Sequence, residues 1–252
     1  MPLNVPTHRI APPRAPRPAP RARLPVPQAA EKTVSAALRG KGLPLVALCN
    51  NAGVQKDMPI ELQESSADRF NFEVNVFGLL DTTRAFLPLL RATGDGARIV
   101  NTGSLAGVAA APGSASYSAS KFAVEGATDA LRMEVQGFGI SVSLLQPGYV
   151  KSQMGAKAHE SSAASYGVTE AQYDLYRFVF EGFFAKDKKL SSSDAAMPAS
   201  LSTTPAIIDA IQSPTPKTRY AVANVDDLPA WLIAGLKSIL PDRVMDVLTL
   251  DM

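Results

Sequence analysis

Three residue types are nearly missing from this 252-residue chain. It has one cysteine, Cys49, two histidines, His8 and His159, and one tryptophan. A single cysteine excludes an internal disulfide and any all-cysteine metal site. Two histidines, one of them in an N-terminal tail, leave no ligand set for a metal centre and no Ser-His-acid constellation, and no Gly-x-Ser-x-Gly is present. Long apolar runs are also missing. The longest candidate, Leu228 to Leu240, carries Lys237 and falls short of the roughly 18 residues a membrane span needs. With no secretory signal either, the expected location is intracellular with the cytoplasm favoured. Contact with a membrane surface stays open.

Acidic residues are missing from residues 1–30, where nine prolines and five arginines (Arg9, Arg14, Arg17, Arg21, Arg23) crowd together. Without those five charges the net +2 becomes −3, so the rest of the chain is mildly acidic. Proline lacks an N–H and fixes φ, so residues 1–29 are expected to form a disordered or extended leader. The leader lacks an aromatic to stack on bases, which argues against nucleic acid as a partner. Its arginines fit an organelle-targeting segment, but nine prolines and no serine do not.

What remains is of ordinary globular composition, 46% hydrophobic and 19% charged. Residues 30–252 read as one α/β domain with alternating strands and helices. A short helix spans Ala30 to Leu38. Strands are expected at Leu45 to Cys49, Arg98 to Thr102 and Ile140 to Gln146, with a last one at Arg219 to Val222. Helices are expected at Ser66 to Leu87, with Phe70, Val74 and Phe77 on its apolar face, and at Ser116 to Gln136. A helical Glu170 to Ala185 and a polar, mobile Lys186 to Ser202 fall within a lid region, 151–203. Thr204 to Gln212 and Leu228 to Leu240 complete the helices. This alternation gives a doubly wound parallel sheet, whose ligands bind at the carboxyl ends of the strands.

The residues with chemistry follow those ends. Tyr117 and Lys121, four apart on one helix face, form the only Tyr-x-x-x-Lys in the chain. A free tyrosine has a pKa of about 10, and a nearby ammonium favours its phenolate, which makes such a pair a general acid/base. Ser104 stands thirteen residues earlier, just past a strand. It reads as a hydroxyl for a substrate oxygen or as a turn cap. Asn75 lies inside a helix, where asparagine is mildly unfavourable.

Asn50-Asn51-Ala52-Gly53, Asn75-Val-Phe-Gly78, Ile99-Val-Asn-Thr-Gly-Ser104, Tyr117-Ser-Ala-Ser-Lys121 and Pro147-Gly148 occur in this order. Together they resemble the short-chain dehydrogenase/reductase family over about residues 30 to 250. The resemblance implies a Rossmann-like fold and an enzyme that interconverts a hydroxyl and a carbonyl with NADP or NAD. It implies that Tyr117 is the acid/base, Lys121 lowers its pKa and bonds the nicotinamide ribose, Ser104 orients the substrate oxygen, and Asn75 holds a water leading from Lys121 to solvent. Asn50, Asn51, Ala52 and Gly53 would line the adenine side of the cofactor pocket. Pro147, Gly148 and Val150 would flank the nicotinamide, and Ser152 would contact its amide. A homo-oligomer, through the helices at 66–87 and 116–136, is implied as well.

A finer resemblance, to the retinol dehydrogenase and 17β-hydroxysteroid dehydrogenase branch, rests on Phe86-Leu-Pro-Leu-Leu90, Leu131-Arg-Met-Glu134, Thr218-Arg-Tyr220 and Leu240-Pro-Asp-Arg243. It implies a lipophilic substrate, a retinoid, steroid or similar. The aromatic segment Tyr173, Tyr176, Phe178, Phe180, Phe183 and Phe184 either lines that pocket or packs as an ordinary helix.

The family's glycine-rich turn, T-G-x-x-x-G-x-G, does not precede Asn50. The expectation is therefore a sheet incomplete in its N-terminal half, without most of the pyrophosphate site or the residue that selects NAD or NADP. The alternative to an active enzyme is a truncated or non-catalytic relative that cannot bind the dinucleotide productively. If the leader is coding DNA read in the wrong frame, a T-G-x-x-x-G-x-G is expected in another frame directly upstream of the gene, and sequencing that finds none contradicts this.

Overall fold

The computed structural model describes residues 27–152, 167–192 and 196–245. Most of the Pro/Arg leader, part of the expected lid (153–166 and 193–195) and His159 lie outside the described residues. Helix α1 spans Pro27–Lys41, longer at both ends than the expected Ala30 to Leu38, with Pro27 at its first position, where a missing N–H costs nothing.

Strands β1 (Ala47–Asn50), β2 (Arg98–Thr102), β3 (Ser141–Pro147) and β4 (Arg219–Val222) form one sheet in that spatial order, and every pairing is parallel. The register sets Asn50 opposite Asn101 and Thr102 opposite Leu145. The carboxyl ends of β1, β2 and β3 therefore finish along one edge. Alternate side chains of each strand enter different cores. Ile99 and Val142 pack with Leu90, Val135 and Ile140 on one face. Val100 and Leu145 pack with Ala206, Ala210 and Tyr220 on the other. Both faces of β2 and β3 are buried, and their buried polar side chains, Asn101, Ser143 and Gln146, each donate a hydrogen bond.

The first face is covered by α2 (Ser65–Phe72), a π-helical turn (Glu73–Gly78), α3 (Leu79–Thr93) and α4 (Ala115–Val135). After β3 come α5 (Glu170–Leu175), a second π-helical stretch (Phe178–Phe184) and α6 (Ala185–Ser192). Helix α7 (Thr203–Gln212) covers the opposite face. A small antiparallel pair, β5 (Asn224–Val225) and β6 (Leu228–Pro229), leads into α8 (Ala230–Ile239). The result is a Rossmann-like, doubly wound parallel sheet. Among the described residues β1 pairs only with β2 and is a sheet edge, with Cys49 exposed. No described helix is long and apolar enough to cross a membrane.

Two expectations change. Phe70 and Phe77, read as an inward apolar face, are 43% and 51% exposed. The inward positions are Asn71, Asn75, Val76 and Leu79, because α4 packs against that side and the π turn shifts the helical phase. The stretch Lys186 to Ser202 begins as helix α6 and includes a 3₁₀ turn at Ala199–Leu201, so it is more regular than its polar composition implies.

Ile99, fully buried at the centre of the sheet, tests the packing. Ile99→Ala is expected to lower stability by about 2–5 kcal/mol in urea denaturation. A loss below about 1 kcal/mol would contradict a close-packed sheet at this position.

Candidate active site

At the carboxyl ends of β1, β2 and β3 lies a cleft of about 750 Å³. Asn51, Ala52 and Gly53 line it from the loop after β1, and Thr102, Gly103 and Ser104 from the end of β2. Pro147, Gly148, Val150 and Ser152 line it after β3, and Tyr117 and Lys121 enter from α4. The opposite wall combines apolar Leu105, Phe183, Leu190 and Ile233 with charged Lys151, Lys186 and Asp187.

Close backbone approach builds this geometry. A Cβ on Gly107 would sit 2.8 Å from the Lys121 carbonyl oxygen, so only glycine lets the 3₁₀ turn Leu105–Gly107 rest directly on α4. A Cβ on Gly148 would sit 2.6 Å from the Asn224 carbonyl oxygen, where the segment after β3 passes β5. Val150 then pairs with Met197 and Tyr149 with Asn224.

Two anticipated site residues lie elsewhere. Asn50 is buried, and its Nδ2 donates to Thr83 Oγ1 and Asn101 Oδ1, both at 2.9 Å. Asn101 in turn donates to Thr128 Oγ1 at 3.0 Å. The Asn50 side chain thus ties β1 to β2 and α3 and is turned away from the cleft. Asn75 is 2% exposed and is not part of the cleft wall. Its carboxamide accepts from the Val54 N–H at 2.8 Å and donates to the Val54 carbonyl at 2.9 Å and Ser120 Oγ at 3.0 Å. Of the aromatic segment only Phe183 lines the cleft. Phe180 stacks on Tyr173 with ring centroids 4.9 Å apart, and Phe178 is exposed.

The electrostatics differ from what a Tyr/Lys pair alone implies. Lys121 is buried, its Nζ donates to the Thr102 carbonyl at 3.2 Å, and burial pushes its pKa down to about 8. The ammonium lies 5.8 Å from the centre of the Tyr117 ring. Burial nevertheless dominates at Tyr117 and pushes its pKa up to about 12, with the Asp57 and Asp187 carboxylates adding to the rise and a hydrogen bond with Ser104 opposing it. Ser104 Oγ also accepts from the Ala106 N–H at 3.1 Å, so the turn-cap reading of this serine holds.

Two acids and a second tyrosine were not anticipated. Asp57 is pushed up to about 7, mainly by burial, against hydrogen bonds from Gln55 and Ser114. The Tyr149 hydroxyl donates to Asp187 on α6, and burial together with that carboxylate raises the Tyr149 pKa. Asp57 follows a strand end by only a few residues, the one weak signal for it. Asn71 carries a better one, since it stands four residues before Asn75.

The sequence model of the short chain dehydrogenase family matches residues 26–163, more than half of the chain. This chain belongs to that family. It is 31% identical to the uncharacterized oxidoreductase YbbO of Escherichia coli (strain K12) over 80% of its length and 66% of that protein's. It is 32% identical to an NADPH-dependent 3-dehydrocapnine reductase of Ornithobacterium rhinotracheale, over 82% of its length and 69% of that protein's. It is 28% identical to the mitochondrial D-beta-hydroxybutyrate dehydrogenase of Rattus norvegicus, over 86% of its length and 63% of that protein's. The chain thus spans about two thirds of the curated relatives it matches. Among solved structures, a short chain dehydrogenase/reductase from Burkholderia phymatum in complex with NAD aligns at a TM-score of 0.55. It is 26% identical, with 73% of this chain and 65% of that one covered. A short chain dehydrogenase from Burkholderia cenocepacia J2315, 23% identical, shares the fold at a TM-score of 0.61 over 89% of this chain and 76% of that one.

The raised pKa of Asp57 has a consequence for stability. Between its ordinary 3.8 and about 7 the folded chain holds a proton that the unfolded chain has released. The contribution is full below pH 3.8 and is lost as pH rises through 7, by about 2–4 kcal/mol. Asp57→Asn is expected to flatten this decline in urea midpoints measured from pH 4 to 8. Parallel curves for the variant and the parent chain would contradict it.

Proposed function

We propose that this chain carries the nicotinamide half-site of an oxidoreductase that interconverts a hydroxyl and a carbonyl on a lipophilic substrate. The observation that carries this reading is Tyr117, Lys121 and Ser104 together in one cleft at the carboxyl ends of a parallel sheet. The cleft fits the nicotinamide and ribose end of NADP or NAD. Thr102, Pro147, Gly148, Val150 and Ser152 form the walls, and Lys121 offers a donor anchored on the Thr102 carbonyl. When bound, the dinucleotide supplies the hydride. Ser104 orients the substrate oxygen. Tyr117, protonated at neutral pH, is set to exchange a proton with that oxygen. Apolar Leu105, Phe183, Leu190 and Ile233 support a lipophilic ketone.

The rival reading is a relative that does not bind the dinucleotide productively. One observation favours it: among the described residues β1 is an edge, and no glycine-rich turn lies beside it. Two further assignments belong with the first reading. Exposed Phe70 and Phe77 on the α2–α3 helix and Phe122 and Met133 on α4 support self-association through these helices. The single cysteine, Cys49, exposed on β1, fits a reducing intracellular compartment.

Reduction of a steroid or retinoid carbonyl, followed as loss of NADPH absorbance, is expected to fall by about 10²-fold or more in Tyr117→Phe. A short 3-oxo acid should be the poorer substrate. Equal rates for Tyr117→Phe and the parent chain would contradict the role of Tyr117.

A further inference from the structure

The α2–α3 helix grips the segment after β1 at two places. Asn71 is fully buried and Asn75 nearly so, on the inward face. Asn71 accepts from the Lys56 N–H at 3.1 Å and donates to the Lys56 carbonyl at 3.0 Å. Asn75 makes the same pair of bonds to Val54. Each carboxamide therefore acts as a strand partner would, donating and accepting at one residue. The spacing explains the match. Four residues of helix advance about 6 Å, and two residues of extended chain about 6.8 Å, so an i, i+4 pair meets an i, i+2 pair.

The second N–H of each asparagine reaches α4. Asn71 donates to Ser116 Oγ at 2.9 Å and Asn75 to Ser120 Oγ at 3.0 Å, again an i, i+4 pair. These serines flank Tyr117, and Ser120 Oγ also donates to the Tyr117 carbonyl at 2.6 Å. The Met58 N–H donates to the Gly113 carbonyl at 2.8 Å and closes the far end. Segment 54–58 is thus bolted to the helix that carries Tyr117. Gln55, between the two rungs, lines the cleft, and Asp57 follows the second rung.

We propose that Asn71, with Ser116, is a positioning residue that fixes Gln55 in the cleft wall and keeps Asp57, in the same segment, within electrostatic reach of Tyr117. It does not touch the reacting atoms. With Asn71 the wall has two rungs and one orientation. With Asn75 alone, residues 55 to 57 are held at Val54 and Met58, with Gln63 Nε2 on the Lys56 carbonyl between them, and the Lys56 N–H has lost its partner. The groups that face Asp57 and Tyr117 are Lys121 on α4, Tyr149 after β3 and Asp187 on α6.

The effect on turnover rests on the proposed function, but the decisive readout does not. Asp57 is followed by carbon-13 NMR of its carboxyl, assigned with Asp57→Asn. In the parent chain it should titrate near pH 7. In Asn71→Ala, released toward water, its midpoint should fall by about one pH unit or more. Thr128→Ala, which removes a buried hydroxyl from the separate Asn50–Asn101 network, should lower stability and leave the Asp57 titration in place. A folded Asn71→Ala in which Asp57 titrates as in the parent chain overturns the proposal. If Asn71→Ala does not fold, Ser116→Ala decides. Faster hydrogen exchange at the Lys56 amide is expected, and unchanged exchange overturns the proposal. In turnover, Asn71→Ala should raise KM about tenfold with a smaller change in kcat, whereas Thr128→Ala should change neither. A parent chain that binds or turns over nothing counts against the proposed function, while the titration and exchange still test the positioning.

Discussion

The cleft depends on one close approach, that of helix α4 to the end of β2. Gly107 lets the turn after β2 lie on the Lys121 backbone, and that contact leaves the lysine stem nowhere to go but inward. An ammonium in such a place is costly, and its hydrogen bond to the Thr102 carbonyl offsets part of that cost. The rest follows from this packing. Tyr117, one turn earlier, is drawn into the same dry interior, and Ser104 meets it from the turn that Gly107 makes room for.

Burial then decides the acid–base character of the site. A Tyr/Lys pair in water would favour the phenolate. Here burial dominates at Tyr117 and two carboxylates push the same way, against a hydrogen bond with Ser104. The cleft holds its proton donor in the protonated form, and burial pushes its lysine down to about 8. Segment 54–58, which carries Asp57, is held by main-chain hydrogen bonds to Asn71 and Asn75, and its Met58 side chain is buried.

Much of the sheet was legible in the sequence. Arg98 to Thr102 and Ile140 to Gln146 lie where expected to within a residue. Tyr117 and Lys121 were legible because four residues on a helix share a face. Less legible was anything set by contacts between distant segments. Phe70 and Phe77 have the spacing of a core face, yet the buried side is polar, since Asn71 and Asn75 find backbone partners there. Asn50 sits in a motif read as a pocket wall, but Thr83 and Asn101 capture its side chain. Asp57 and Asp187 are 130 residues apart in the chain, and only the fold brings their charges to Tyr117.

The central claim is that a usable nicotinamide site forms around Lys121 in a domain whose β1 is an edge among the described residues. Titration of NADPH, and then NADH, into the full chain, followed by cofactor fluorescence beside Lys121→Ala, tests it most directly. Saturable binding that Lys121→Ala weakens about tenfold or more is the predicted result. A folded chain that binds neither nucleotide, or a Lys121→Ala variant that binds as tightly as its parent, would contradict the account.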